Sequence, residues 1–170
     1  VPRRIEVRLR RPGAVVQKSV GLIRFALVFT GYMIAMGIVS LALEYFTGVS
    51  LSGTVNQIVS VMGAATDAGQ RFYKTYEVVP DAGFAWSASF QMTLVEIAIS
   101  VVLGGLFIWA LVSEGELANG VGPLLTFLVP LMIFMFAISW VLKRYMFVSG
   151  ARRAEKVQLK KQEKSRAVFE

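Results

Sequence analysis

Long uncharged stretches decide what this chain can become. No charged residue stands between Arg24 and Glu44, none between Glu116 and Lys143, and only Glu96 interrupts the stretch from Asp81 to Glu114. A helix rises about 1.5 Å per residue, so about 20 such residues cross the roughly 30 Å hydrocarbon core of a bilayer. Helices apolar on all sides cannot face water, and only helices satisfy their own backbone groups in lipid. The reading is an all-α integral membrane protein, with clear spans at 19–42, 84–112 and 121–142. Pro130 should kink the last of these, because it removes a backbone hydrogen bond. A secretory signal peptide competes for the first span, since Ser40-Leu41-Ala42 offers a small-x-small cleavage pattern; the length of the apolar run after Arg24 argues against it.

Segment 51–70 is ambiguous. Val55, Ile58, Val59, Met62, Ala64 and Ala65 are apolar, but Asn56, Gln57, Ser60, Thr66 and Asp67 dilute them. Charge placement decides between the alternatives. With three spans the basic N-terminus and basic C-terminus lie on opposite sides, against the positive-inside rule. With 51–70 as a fourth span, the outer connections near 43–50 and 113–120 hold Glu44, Glu114 and Glu116 and no Lys or Arg. All 18 basic residues then fall at or near the inner face. Aromatic residues follow the same division, with Tyr45, Phe46 and Trp109 outside and Tyr73, Tyr76, Trp86, Trp140 and Tyr145 inside. The expected architecture is a four-helix bundle over 19–142, with a basic cytoplasmic arm at 1–18 and a basic cytoplasmic tail at 143–170.

The arm alternates polar and apolar residues from Arg4 to Arg10, the period of a strand that pairs with a partner's sheet edge. The preferred reading is an arm lying on anionic headgroups through Arg4, Arg8 and Arg10. Arg71, Lys143 and Arg144 are assigned to headgroup or partner contacts at the inner ends of the spans. The tail is expected to prolong the fourth helix, with Gly150 as a break.

The net charge of +7 is accounted for by these membrane flanks, so no nucleic-acid partner is expected. The chain has no Cys and no His, which removes disulfides, thiolate chemistry and the commonest ligands of zinc, copper and haem. No phosphate-binding Gly-rich loop, nucleophile elbow, zincin pattern or pair of catalytic carboxylates is present. The expectation is a protein without a cofactor and without enzymatic activity.

Two polar stripes remain. Ser89, Thr93, Glu96, Ser100 and Gly104 follow one face of the third span; Asn56, Ser60, Gly63 and Asp67 follow one face of the second. An ionisable group at the depth of Glu96 faces other helices or water. It serves either as an ion or proton site or as a hydrogen-bonding contact between helices. No second buried charge is evident in the spacing, so the structural role is preferred, with spans two and three packed through their stripes. Gly31 and Ala35, Ala65 and Gly69, and Ser100 and Gly104 are small pairs suited to close helix approach.

The inner loop reads Ala68-Gly69-Gln70-Arg71-Phe72 and, after five residues, Val78-Val79-Pro80. This pattern resembles the ABZJ-type family of small, uncharacterised bacterial inner-membrane proteins. Arg71, Phe72 and Pro80 match that family's inner-loop pattern, and Lys143-Arg144-Tyr145 is similar to its basic end of the last span. Val78 replaces the family's second Arg, and Gly83 and Phe84 stand where an acidic residue is expected. The resemblance covers roughly 20–150 and implies four spans in a bacterial inner membrane, with no activity attached.

Two functions are compatible with these observations. One is an accessory, structural or assembly subunit of a larger respiratory or photosynthetic membrane complex, in contact with lipids and other membrane subunits. The other is a small oligomeric transporter or channel component with Glu96 in its pathway.

Overall fold

A computed structural model describes residues 19–49, 52–114 and 122–167. It is all-helical in these residues: α1 spans Leu22–Thr47, α2 Gly53–Tyr76, α3 Ala82–Ser113 and α4 Gly122–Ala167. The strand-like segment Arg4–Arg10 lies outside the described residues. Among the described residues three segments are long and apolar enough to cross a membrane: α1, α3 and Leu128–Ser165 of α4. The chain is therefore a membrane-associated helical bundle.

Local chemistry sets the helix ends. The Ser52 side chain accepts a hydrogen bond from the Val55 amide at 3.3 Å, and Asp81 accepts from the Phe84 amide at 2.8 Å. Both satisfy amides that have no carbonyl partner at a helix start. Gly48 closes α1 in the left-handed region at φ 70°, with its N–H bonded to the Glu44 carbonyl. α1 runs unbroken through Ser40–Ala42. α4 has 46 residues, about 69 Å of continuous helix.

α2 is the inner helix of the bundle. It packs chiefly against α4 and then α1, while α3 packs on α4 and more lightly on α1. Its buried face carries Ser60, Val61, Ala64, Ala65, Gly69, Phe72 and Tyr73. Covered by its neighbours, α2 needs fewer apolar residues than they do, which explains its mixed composition.

Two glycines set the α2–α4 distance. A Cβ on Gly69 would fall on the Phe147 carbonyl oxygen, and a Cβ on Gly150 would fall on the Thr66 carbonyl oxygen. Gly150 is thus a point of close backbone approach and not the expected helix break: α4 continues through it. The close approach expected between spans two and three occurs instead between α2 and α4, with Ala65 and Ala151 buried beside the two glycines.

The apolar core occupies one end of the bundle. Phe25, Phe29, Val61, Ala64, Phe72, Ala85, Ala88, Met92 and Phe147 form it. Phe72 contacts Tyr76, Phe84 and Phe147 with ring centroids 4.8, 4.9 and 5.6 Å apart. Beyond Phe29 in α1, beyond Glu96 in α3 and before Ser139 in α4, no described side chain is buried. Ile34, Ile38, Leu41, Val101, Leu106 and Ile133 are exposed there. Such a surface is stable against lipid or another apolar chain and not against water.

Candidate functional site: a buried ion pair

Glu96 lies about 21 Å from the start of α3 and about 26 Å from its end. It is 0% exposed, and so is Lys143 of α4. The two form a salt bridge through Glu96 Oε2 and Lys143 Nζ. Helical side chains lean toward the N-terminus of their helix. α4 and α2 run in the same direction, so the Lys143 side chain reaches back along α4, away from the basic cluster at Arg152 and Arg153.

Each polar atom of the pair has a partner. Lys143 Nζ donates to Thr93 Oγ1 and Ser139 Oγ, both at 3.0 Å, and to Glu96 Oε2. These satisfy the three protons of an ammonium group. Ser139 Oγ donates to Glu96 Oε2 at 2.8 Å, and Gln57 Nε2 donates to Glu96 Oε1 at 3.1 Å. Thr93 Oγ1 passes its own proton to the Ser89 carbonyl at 3.0 Å. The helical period brings the ligands together: Thr93 is three residues before Glu96, and Ser139 is four before Lys143. Gln57 adds α2, so three helices meet at one carboxylate.

The assignment of Lys143 to headgroup or partner contacts is therefore corrected: its charge is buried against Glu96. The expectation that Glu96 lacks a buried counter-charge is corrected with it. Gln57 and Ser139 were not singled out in the sequence. The signal for Ser139 is its four-residue spacing from Lys143; Gln57 lies one position off the stripe of Asn56, Ser60, Gly63 and Asp67.

The other sequence candidates divide. Thr93 belongs to the network directly, and Ser89 through its carbonyl. Ser60 is buried but donates to its own helix, at the Asn56 carbonyl, 2.7 Å away. Ser100 lies further along α3, half-buried and outside the network. Asp67 pairs with Arg24 at 3.3 Å toward the other end of α2. Asn56 Oδ1 and Ser89 Oγ are buried without a hydrogen-bond partner among the described residues.

Arg71 is exposed and lines a cavity of about 250 Å³ with Arg24, Asp67 and Tyr76. Arg144 places its guanidinium over the Trp86 ring at 4.4 Å. Arg4, Arg8 and Arg10 lie outside the described residues. Among the described residues no group of three or more His, Cys, Asp or Glu is placed to hold a metal ion.

The network offers a carboxylate both of whose oxygens accept hydrogen bonds and an ammonium whose protons are engaged. Such an arrangement cross-links helices at fixed register and neutralises its own charge. Comparison with family models, curated proteins and solved structures returned no match.

Proposed function

We propose that this chain is a non-catalytic accessory, structural or assembly subunit of a larger membrane complex. The observation that carries the reading is the contrast between the two ends of the bundle. At one end the chain satisfies itself, with an apolar core and a closed polar network. At the other, α1, α3 and α4 present apolar side chains that no described residue covers. A protein built this way holds its own fold through half its depth and offers the other half to lipid or to helices of neighbouring subunits.

In this reading α2 is the fourth span, and both termini lie on the cytoplasmic side. Its 24 residues measure about 36 Å, enough to cross, and Gln57 and Asp67 are bonded to side chains of α3 and α1. The absence of Lys and Arg from both outer connections supports that orientation. The resemblance to the ABZJ-type family supports a bacterial inner membrane.

The test is solubilisation of native membranes in a mild detergent, followed by a native gel and identification of what migrates with the chain. Stable co-migration with a large complex is the expected result. Migration as a monomer or small homo-oligomer would overturn the reading. The transporter alternative would then be tested with Glu96→Gln, which should abolish proton-coupled transport if Glu96 lies in the pathway.

A further inference from the structure

A groove of about 580 Å³ runs along α4 and is lined by Arg144, Tyr145, Val148, Ser149, Arg152 and Lys156, with Arg153 and Met146 at its sides. The residues at 144, 148, 152 and 156 recur every fourth position and so share one face of the helix. Four cations line the groove, and among the described residues no carboxylate does.

Two further observations give the groove a polarity along the bundle. Arg144 is held in place by stacking, its guanidinium 4.4 Å from the centre of the Trp86 ring and 5.4 Å from that of Tyr145. Its Nε is buried and has no hydrogen-bond partner among the described residues. Beyond Arg144, away from Arg152, the surface becomes an aromatic wall. Trp86 and Trp140 meet at 5.3 Å, and Trp140 and Phe90 at 5.7 Å. Phe90 is 47% exposed and Trp140 36%.

The change from an uncharged to a basic sequence puts the edge of the apolar span along this same stretch. The Arg24–Asp67 pair sits beside Phe25 and Phe72 at the end of the core, and Phe72 contacts Phe147. The uncharged part of α4 ends at Leu142, so Arg144 is the second residue past the apolar span. Arg152 lies about 12 Å further along the helix, and its side chain leans back toward the bilayer to headgroup depth.

We infer that this groove is a binding site for an anionic phospholipid. The lipid phosphate is held between Arg144 and Arg152 with the Ser149 hydroxyl, and an acyl chain lies on the wall of Trp86, Phe90 and Trp140. Lys156, about 6 Å beyond Arg152, favours a headgroup carrying a further negative charge. Arginine suits this task because its planar fork grips a phosphate with two parallel hydrogen bonds. The inference rests on the bundle lying in a membrane and is independent of the accessory-subunit reading.

The test uses the full chain with Trp109→Phe, which leaves Trp86 and Trp140 as its tryptophans. The protein is reconstituted into phosphatidylcholine vesicles. Its fluorescence is then quenched with phosphatidylglycerol or phosphatidylcholine brominated on the acyl chains. The expected result is half-maximal quenching at a mole fraction of the anionic lipid lower by on the order of tenfold. Arg152→Gln with Lys156→Gln should remove most of that preference and leave quenching by phosphatidylcholine unchanged, which also verifies that the wall is intact. Excess inorganic phosphate should not displace the lipid. Equal quenching by both lipids, or a preference that survives the double substitution, would overturn the inference. So would loss of the preference in inorganic phosphate, because the groove would then be a site for a soluble anion.

Discussion

Lys143→Met removes a buried charge and preserves most of the side-chain volume. Three hydrogen bonds disappear with it, to Thr93, Ser139 and Glu96. Glu96 keeps its bonds from Ser139 and Gln57 but loses its counter-charge. Breaking a buried pair from one side costs about 3–5 kcal/mol, because the remaining charge is desolvated and unpaired. Glu96→Gln should cost a similar amount from the other side, stranding the ammonium. The combined variant has no charge left to strand. It should lie within about 1 kcal/mol of the parent protein, since neutral groups of similar shape often replace a buried pair without loss.

The coupling energy of this cycle is thus expected to be several kcal/mol and opposite in sign to the single losses. Reversible unfolding in mixed micelles, with increasing denaturing detergent and tryptophan fluorescence as the readout, measures all four corners. Single losses below about 1 kcal/mol, or a double variant that simply adds them, would refute the argument that the two charges are mutually compensated.

Three further outcomes follow from the packing and the termini. Gly69→Val and Gly150→Val each place a side chain against a backbone carbonyl and should cost at least about 1–3 kcal/mol in the same unfolding assay, whereas Gly104→Ala, where a Cβ meets nothing within 4 Å, should cost little. Asp67→Asn should change stability by less than about 1 kcal/mol, because the Arg24 and Asp67 side chains are 45% and 34% exposed. In the proposed topology, single cysteines at Lys74 and Arg152 should react with an impermeant thiol reagent from one face of the membrane and a cysteine at Glu44 from the other; labelling of all three from one face would contradict it.

The apolar helices were legible because their signal is local: an uncharged run of about 20 residues in sequence is already a physical object. α2 was legible as a helix from its apolar residues, and its mixed composition reflects the neighbours against which it packs. The stripe through Ser89, Thr93 and Glu96 could be read from the helical period, and the structure brings Thr93 and Glu96 into one network. Lys143 could not be read in that way. It is the first charge after a long apolar run and precedes Arg144, which is how an interfacial residue looks in sequence. Its burial depends on the direction its side chain leans and on α3 lying against α4, both tertiary facts. Gly150 misled for a related reason: a glycine in a helix marks either a break or a close neighbour, and only the neighbour's position distinguishes them.

The confinement of the core to one end gives the bundle the mechanics of tweezers. The phenylalanine cluster and the Glu96–Lys143 lock form the pivot, and the free portions of α1, α3 and α4 are the arms. From Glu96 to Ser113 the α3 arm is about 26 Å long, so a rotation of about 5° at the pivot moves its tip by about 2 Å. Lateral pressure from the lipid around the tips, or a neighbour wedged between the arms, can therefore change the spacing of the tips while the pivot stays closed.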